Sequence, residues 1–109
     1  MTIMSHVSSI FSALSDPCRF EIIEALMRDG ETSAGDICEM FDISAPAVSR
    51  HLSVLHRNGL VSRRVAGKRR IYSVRPEAIR RVADWTLNHR QFWEASMDRI
   101  EAALREDGQ

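Results

Sequence analysis

The side chains best able to do chemistry lie between residues 44 and 70. Ser44, Ala45, Pro46, Ala47, Ser49, Arg50 and Ser53, followed by His56 and Arg57, interleave with the apolar Val48, Leu52 and Leu55. Small side chains let a helix approach another surface closely. Hydroxyls and backbone N–H groups reach phosphate oxygens, and an arginine fork fits the paired acceptors on a guanine edge. Arg50 is the candidate for that fork. Ser44 has two compatible roles, capping a helix and contacting phosphate. A second cluster, Arg63, Arg64, Lys68, Arg69 and Arg70, surrounds Gly67. Like charges crowded around one turn repel, so an anionic partner is expected there. Strand alternation turns some of these cations aside; Lys68 and Arg69 at the tip are the first candidates, with Arg63, Arg64 and Arg70 evenly weighed.

The net charge of zero over 109 residues conceals a segregation. Residues 1–49 carry two basic and eight acidic side chains, residues 50–81 carry ten basic and one acidic, and residues 82–109 carry three basic and six acidic. A dense positive segment in an otherwise acidic chain is the footprint of a polyanion-binding face, because cations that neutralise phosphates release condensed counterions. A solvated basic surface is the competing reading, and the local pattern decides against it.

Helical and alternating periods position these groups. Val7, Ile10, Phe11 and Leu14 share one helical face within residues 6–15. Asp16-Pro17 starts a second helix that runs through Phe20, Ile22, Ile23, Leu26 and Met27 to Gly30. A third, short helix is expected from Thr32 or Ser33, with Ile37, Met40 and Phe41 facing the core. Ser44 caps a fourth that Asn58-Gly59 closes, and the short connection before it makes a helix-turn-helix. Beyond Gly59 the period becomes alternating on both sides of Gly67-Lys68, a β-hairpin. Pro76 opens a final long helix with an apolar face, and a break is expected near Asn88-His89. The fold class is therefore mainly α with a β-hairpin wing: a winged helix-turn-helix of about five helices in one domain, 1–109, with loose ends at the first few residues and at Asp107-Gly108-Gln109. Trp85, Phe92, Trp93, Met97 and Ile100 on the last helix, with Val7, Ile10 and Phe11 on the first, supply more apolar surface than a lone terminal helix can readily bury. They are assigned to a homodimer interface.

Leu14-Ser15-Asp16-Pro17-Cys18-Arg19, the run Ile43 to Leu52, Leu55, Asn58-Gly59-Leu60-Val61 and Gly67-Lys68-Arg69-Arg70-Ile71-Tyr72 together resemble the successive signatures of the ArsR family of winged-helix repressors. The resemblance spans nearly the whole chain. It implies a homodimer built on the first and last helices, recognition helices in successive major grooves of double-stranded DNA, and repression at an inverted-repeat operator. Many members of that family release DNA on binding metal, yet their ligands are mostly missing. Where the family's third helix carries Cys-x-Cys, this chain has Ser33-Ala34-Gly35. In the last helix Asp84 is followed by Trp85 and Thr86, and His89 with Asn88 and Glu94 departs from the second family site. His6, His51, His56 and His89 are scattered, so no metal site and no cofactor are expected.

Cys18 and Cys38 have no CxxC pairing and fit small core fillers in a reducing compartment. A thiol switch is the competing reading, since the helix dipole and Arg19 would lower the Cys18 pKa. No signal-peptide pattern or membrane span is found, which places the chain in the cytosol. Phosphate loops and nucleophile–base motifs are lacking, so an enzyme is not expected. The alternatives to a DNA-binding repressor are a winged-helix protein-interaction module, which has little use for five clustered cations, and a metal- or thiol-responsive repressor of the same family. The operator and any small-molecule inducer stay open.

Overall fold

A computed structural model describes residues 7–107. The expected loose ends outside that range, and His6 with them, lie beyond the described residues; Asp107 itself closes the last helix. Nine elements follow in order: α1 (Val7–Leu14), α2 (Pro17–Asp29), β1 (Thr32–Ser33), α3 (Ala34–Met40), α4 (Ala45–Arg57), β2 (Val61–Ala66), β3 (Arg69–Val74), α5 (Pro76–Asn88) and α6 (Arg90–Asp107).

Local chemistry sets the helix starts. Asp16 accepts the Arg19 N–H at 3.0 Å ahead of Pro17, Ser33 accepts the Asp36 N–H at 3.1 Å, and Ser44 accepts the Ala47 N–H at 3.2 Å. Each occupies an N-cap, where a side-chain oxygen satisfies an otherwise orphaned donor. Gly30 ends α2 at a φ of +77°, a conformation costly for any residue with a Cβ.

Ile10, Ile22, Ile37, Val48, Leu52, Leu55, Leu60 and Val61 close the core, where the inner faces of α1 to α4 meet the base of the hairpin. Tyr72 on β3 seals it. Because Ile10 is 1% exposed within the single chain, it belongs to this core and leaves the set assigned to a dimer interface. Met40, 42% exposed, does not face the core as expected: α3 lasts only seven residues, and Ile37 alone of them is buried. Phe41, also expected in the core, follows α3 as its C-cap and is half-buried.

The sheet is three-stranded and antiparallel in the order β1-β3-β2, where a two-stranded hairpin was expected. Thr32 pairs with Tyr72 and Ser33 with Ile71. Two polar residues carry no alternation signal, so β1 exists only through its pairing with β3. The expected break at His89 divides the final helix into α5 and α6, and the His89 ring donates its Nδ1–H to the Trp85 carbonyl oxygen, 2.8 Å away. Among the described residues, no helix is long and apolar enough to cross a membrane.

Candidate nucleic-acid interface

Helix α4 presents two opposed faces. Val48, Leu52 and Leu55 are buried, whereas Ser44, Ala45, Pro46, Ser49, Arg50, Ser53, His56 and Arg57 are exposed and Ala47 is half-buried. The apolar side docks the helix, and the side turned to solvent is the small polar one. Residues 41–44 form the turn from α3, so α3 and α4 make a compact helix-turn-helix.

Strand register sorts the wing cations. Arg63 lies opposite Tyr72 and Val65 opposite Arg70, while Arg64 lies opposite Ile71 and Ala66 opposite Arg69. Directly paired residues share a face, so Arg63 and Arg70 project on one side and Arg64 and Arg69 on the other. The second side is tied down. The Arg64 guanidinium donates to both Glu31 carboxylate oxygens at 2.7 and 3.1 Å, and Arg69 Nη2 donates to Ser33 Oγ at 2.9 Å and to Asp36 Oδ2 at 3.4 Å. The Arg64 hydrogen bonds hold the Glu31 carboxyl below the usual carboxylate range. Lys68 stands at the turn beside Gly67, whose φ of +64° tightens it. Among the described residues, Arg50, Arg57, Arg63, Lys68 and Arg70 have no ion-pair or hydrogen-bond partner, leaving five exposed cations on α4 and the wing.

Of a third basic group the sequence singled out only His56 and Arg57. Arg57, Arg75 and Arg81 surround a cleft of about 220 Å³ with His56 at the C-terminal end of α4. All three arginines belong to the basic segment 50–81, which was the available signal; their convergence depends on how α5 leaves the sheet.

The apolar residues assigned to a dimer lie on α1, α5 and α6. Phe11 packs edge-on against Trp85 at 5.5 Å between ring centroids, Trp85 reaches Trp93 at 6.3 Å, and Trp93 meets Phe92 at 5.3 Å. This aromatic ladder joins α1, α5 and α6, yet no residue of α6 is buried. Val7 and Trp85 are half-buried, and Phe11, Phe92, Trp93, Met97 and Ile100 are exposed.

The positions that the resemblance sets against metal ligands have other partners or no donor. Ser33 Oγ is occupied by the Asp36 N–H and Arg69, Gly35 brings no donor side chain, and the His89 ring is engaged with the Trp85 backbone. Cys18 and Cys38 are both free and half-buried. Burial, then the Asp16 and Glu21 carboxylates, push the Cys18 thiol up and outweigh Arg19, so the expected lowering is overturned. Asp16, Cys18 and His51 nevertheless converge, a grouping with no local spacing to announce it.

A helix-turn-helix followed by a basic β-hairpin defines a winged helix-turn-helix protein. Residues 16–63 match the family described as "Bacterial regulatory protein, arsR family". The chain is 35% identical over 82 residues to the transcriptional repressor SdpR of Bacillus subtilis, covering 75% of this chain and 90% of that one. It is 30% identical over 97 residues to the arsenical resistance operon repressor of Escherichia coli, covering 88% and 80%. The solved ArsR-like transcriptional regulator from Rhodococcus sp. RHA1 superposes with a TM-score of 0.71 at 27% identity, covering 87% and 89%. The chain belongs to the ArsR family of bacterial regulatory proteins, which are transcriptional regulators and not enzymes.

Proposed function

We propose that this chain is a repressor that binds double-stranded DNA as a homodimer and reads an inverted repeat, without metal at the family's usual positions. The observation that carries the reading is α4, docked by Val48, Leu52 and Leu55 while Ser49, Arg50 and Ser53 are exposed. A face of small and hydroxyl side chains fits a major groove about 12 Å wide. In it Arg50 forks onto a guanine while Ser44, Ala45, Pro46, Ala47, Ser49, Ser53 and His56 lie against backbone and base edges. Lys68, Arg63 and Arg70 follow the neighbouring phosphates. Arg64 and Arg69 add to the field but first hold the wing against α3 and the segment before β1.

The dimer reading rests on α6. The radius of gyration is 18.2 Å, against about 13 Å for a compact chain of this size. Met97, Ile100 and Leu104 are 60%, 54% and 66% exposed on a helix that buries nothing within its own chain. A second copy, meeting this one through Val7, Phe11, Trp85, Phe92, Trp93, Met97 and Ile100, covers that surface and sets two α4 helices roughly 34 Å apart. A bacterial reader of chromosomal DNA works in the cytosol.

Selection of bound duplexes from a random pool by purified protein, with sedimentation of the free protein, tests both parts. A two-fold symmetric motif and a dimer are expected. A folded monomer, or a dimer that enriches no motif, refutes the reading.

A further inference from the structure

Asp16, the N-cap of α2, Cys18 in its first turn and His51 on α4 each place one donor atom within 4.8 Å of the other two. All three are half-buried. The Asp16 Oδ2 to His51 Nδ1 separation is 3.8 Å, long for a direct hydrogen bond, and the two side chains are 34% and 22% exposed. Carboxylate oxygen, sulfur and imidazole nitrogen are the donor types of tetrahedral zinc sites. With metal bonds of about 2.0–2.3 Å, tetrahedral geometry separates donors by roughly 3.3–3.8 Å. One donor pair already meets that separation, and the Cys18 sulfur lies within 4.8 Å of both. Partial exposure leaves the fourth position to water.

We propose that Asp16, Cys18 and His51 form a site for one borderline-soft divalent cation of the zinc or cobalt class. Asp16 Oδ2 caps Arg19 and is also the oxygen that faces His51; a carboxylate oxygen has two lone pairs, so the cap leaves it one with which to ligate. The thiol carries its proton before loading. Binding therefore joins a divalent cation to a carboxylate, a neutral imidazole and a thiolate, and releases one proton to solvent. Burial and the Asp16 and Glu21 carboxylates oppose thiolate formation, and Arg19 favours it. Loading ties α4, one residue past Arg50, to the start of α2. This site uses none of the family's usual ligand positions and does not rest on the DNA reading.

Titrating the reduced full chain with Co²⁺ tests it, because cobalt reports a thiolate through a near-ultraviolet charge-transfer band and four-coordination through intense visible bands. One Co²⁺ per chain with both features is expected, and Zn²⁺ should bleach them since it binds such sites more tightly. Cys18→Ser should abolish the charge-transfer band and weaken Co²⁺ by at least ~10-fold, since outer-shell changes alone cost that much. Cys38→Ser should change neither. If Cys18→Ser does not fold, Asp16→Asn, which keeps a capping side chain, should retain the band at weaker affinity. A wild-type spectrum without a thiolate band, or a band lost in Cys38→Ser and kept in Cys18→Ser, overturns the site. Loss of DNA binding with the cobalt spectrum intact counts against the repressor reading alone.

Discussion

Replacing Lys68 by alanine should have a different signature from replacing Arg64, although both remove one positive charge from the same hairpin. Lys68 is unpaired at the turn, whereas Arg64 is held by both oxygens of Glu31. Each phosphate neutralised on B-DNA contributes about −0.9 to the slope of log K against log salt, so Lys68→Ala in both halves of a dimer should make the slope shallower by ~1.8. Over a fourfold rise in salt, from about 50 to 200 mM, wild type should lose ~12-fold more affinity than Lys68→Ala. Arg64→Ala unmasks Glu31 as it removes the guanidinium, and the pair was already close to neutral. Its slope should stay within about 0.5 of wild type, while affinity falls through a less rigid wing. Fluorescence anisotropy on the selected duplex, at four or five salt concentrations, reads both slopes. Equal slope changes in the two variants, or none in Lys68→Ala, would refute the division between free and tethered cations.

Arg50→Ala should weaken binding and relax preference at one base step by ~1–3 kcal/mol, seen by repeating the duplex selection with the variant. The double change Met97→Glu and Ile100→Glu should leave circular dichroism unchanged, since both side chains are exposed on the single chain. It should weaken dimerisation by ~100-fold or more, because burying each such side chain is worth about 1.5–3 kcal/mol; a dimer persisting at micromolar concentration by sedimentation would sink the α6 assignment. Acid should act through the caps and ion pairs: the Arg19 backbone hydrogen bond lowers the Asp16 carboxyl and the Arg64 side chain lowers that of Glu31. Their contributions are fully present above the unfolded carboxylate value of about 4 and are lost as pH falls through the lower folded values. Urea midpoints of wild type and Glu31→Gln should therefore differ at pH 7 and draw together as pH falls below about 4.

Local rules carried most of the fold. Asp16-Pro17, Ser44 with Pro46, and Gly67 each fix a boundary through chemistry confined to a few neighbouring residues, and Val48, Leu52 and Leu55 declare the inner face of α4 at helical spacing. What stayed hidden depends on residues far apart in the chain. Strand β1 is two polar residues that become a strand only against Tyr72 and Ile71. Glu31 and Asp36 choose Arg64 and Arg69 out of five similar cations because the register turns those two toward α3 and the segment before β1. The sign of the Cys18 shift was misjudged for the same reason: the dipole and Arg19 are visible in sequence, and burial is not. The α4 face was thus legible residue by residue, while the wing was legible only as a total charge.

The short stretch between α1 and α2 links the two halves of the proposed function. Arg19 Nε donates to the Ala13 carbonyl oxygen at 2.6 Å, the Arg19 N–H meets the Asp16 carboxylate, and that carboxylate faces His51 on α4. Ala13 itself is buried, so the end of α1 is fixed by packing as well as by this bond. Three helices are thereby held at one elbow: α1, which carries Val7 and Phe11 of the proposed interface, α2, and the proposed recognition helix. In the proposed two-fold dimer the spacing of the two α4 helices would follow from the angle at which each protomer leaves the interface, and a rotation of α1 would reach α4 through this elbow. A substitution that loosens it, such as Arg19→Ala, therefore acts on half-site spacing before it acts on base preference. Tolerance of a one-base-pair insertion between half-sites should rise while the motif within each half-site is retained; a changed half-site motif with unchanged spacing would show that the elbow serves α2 alone.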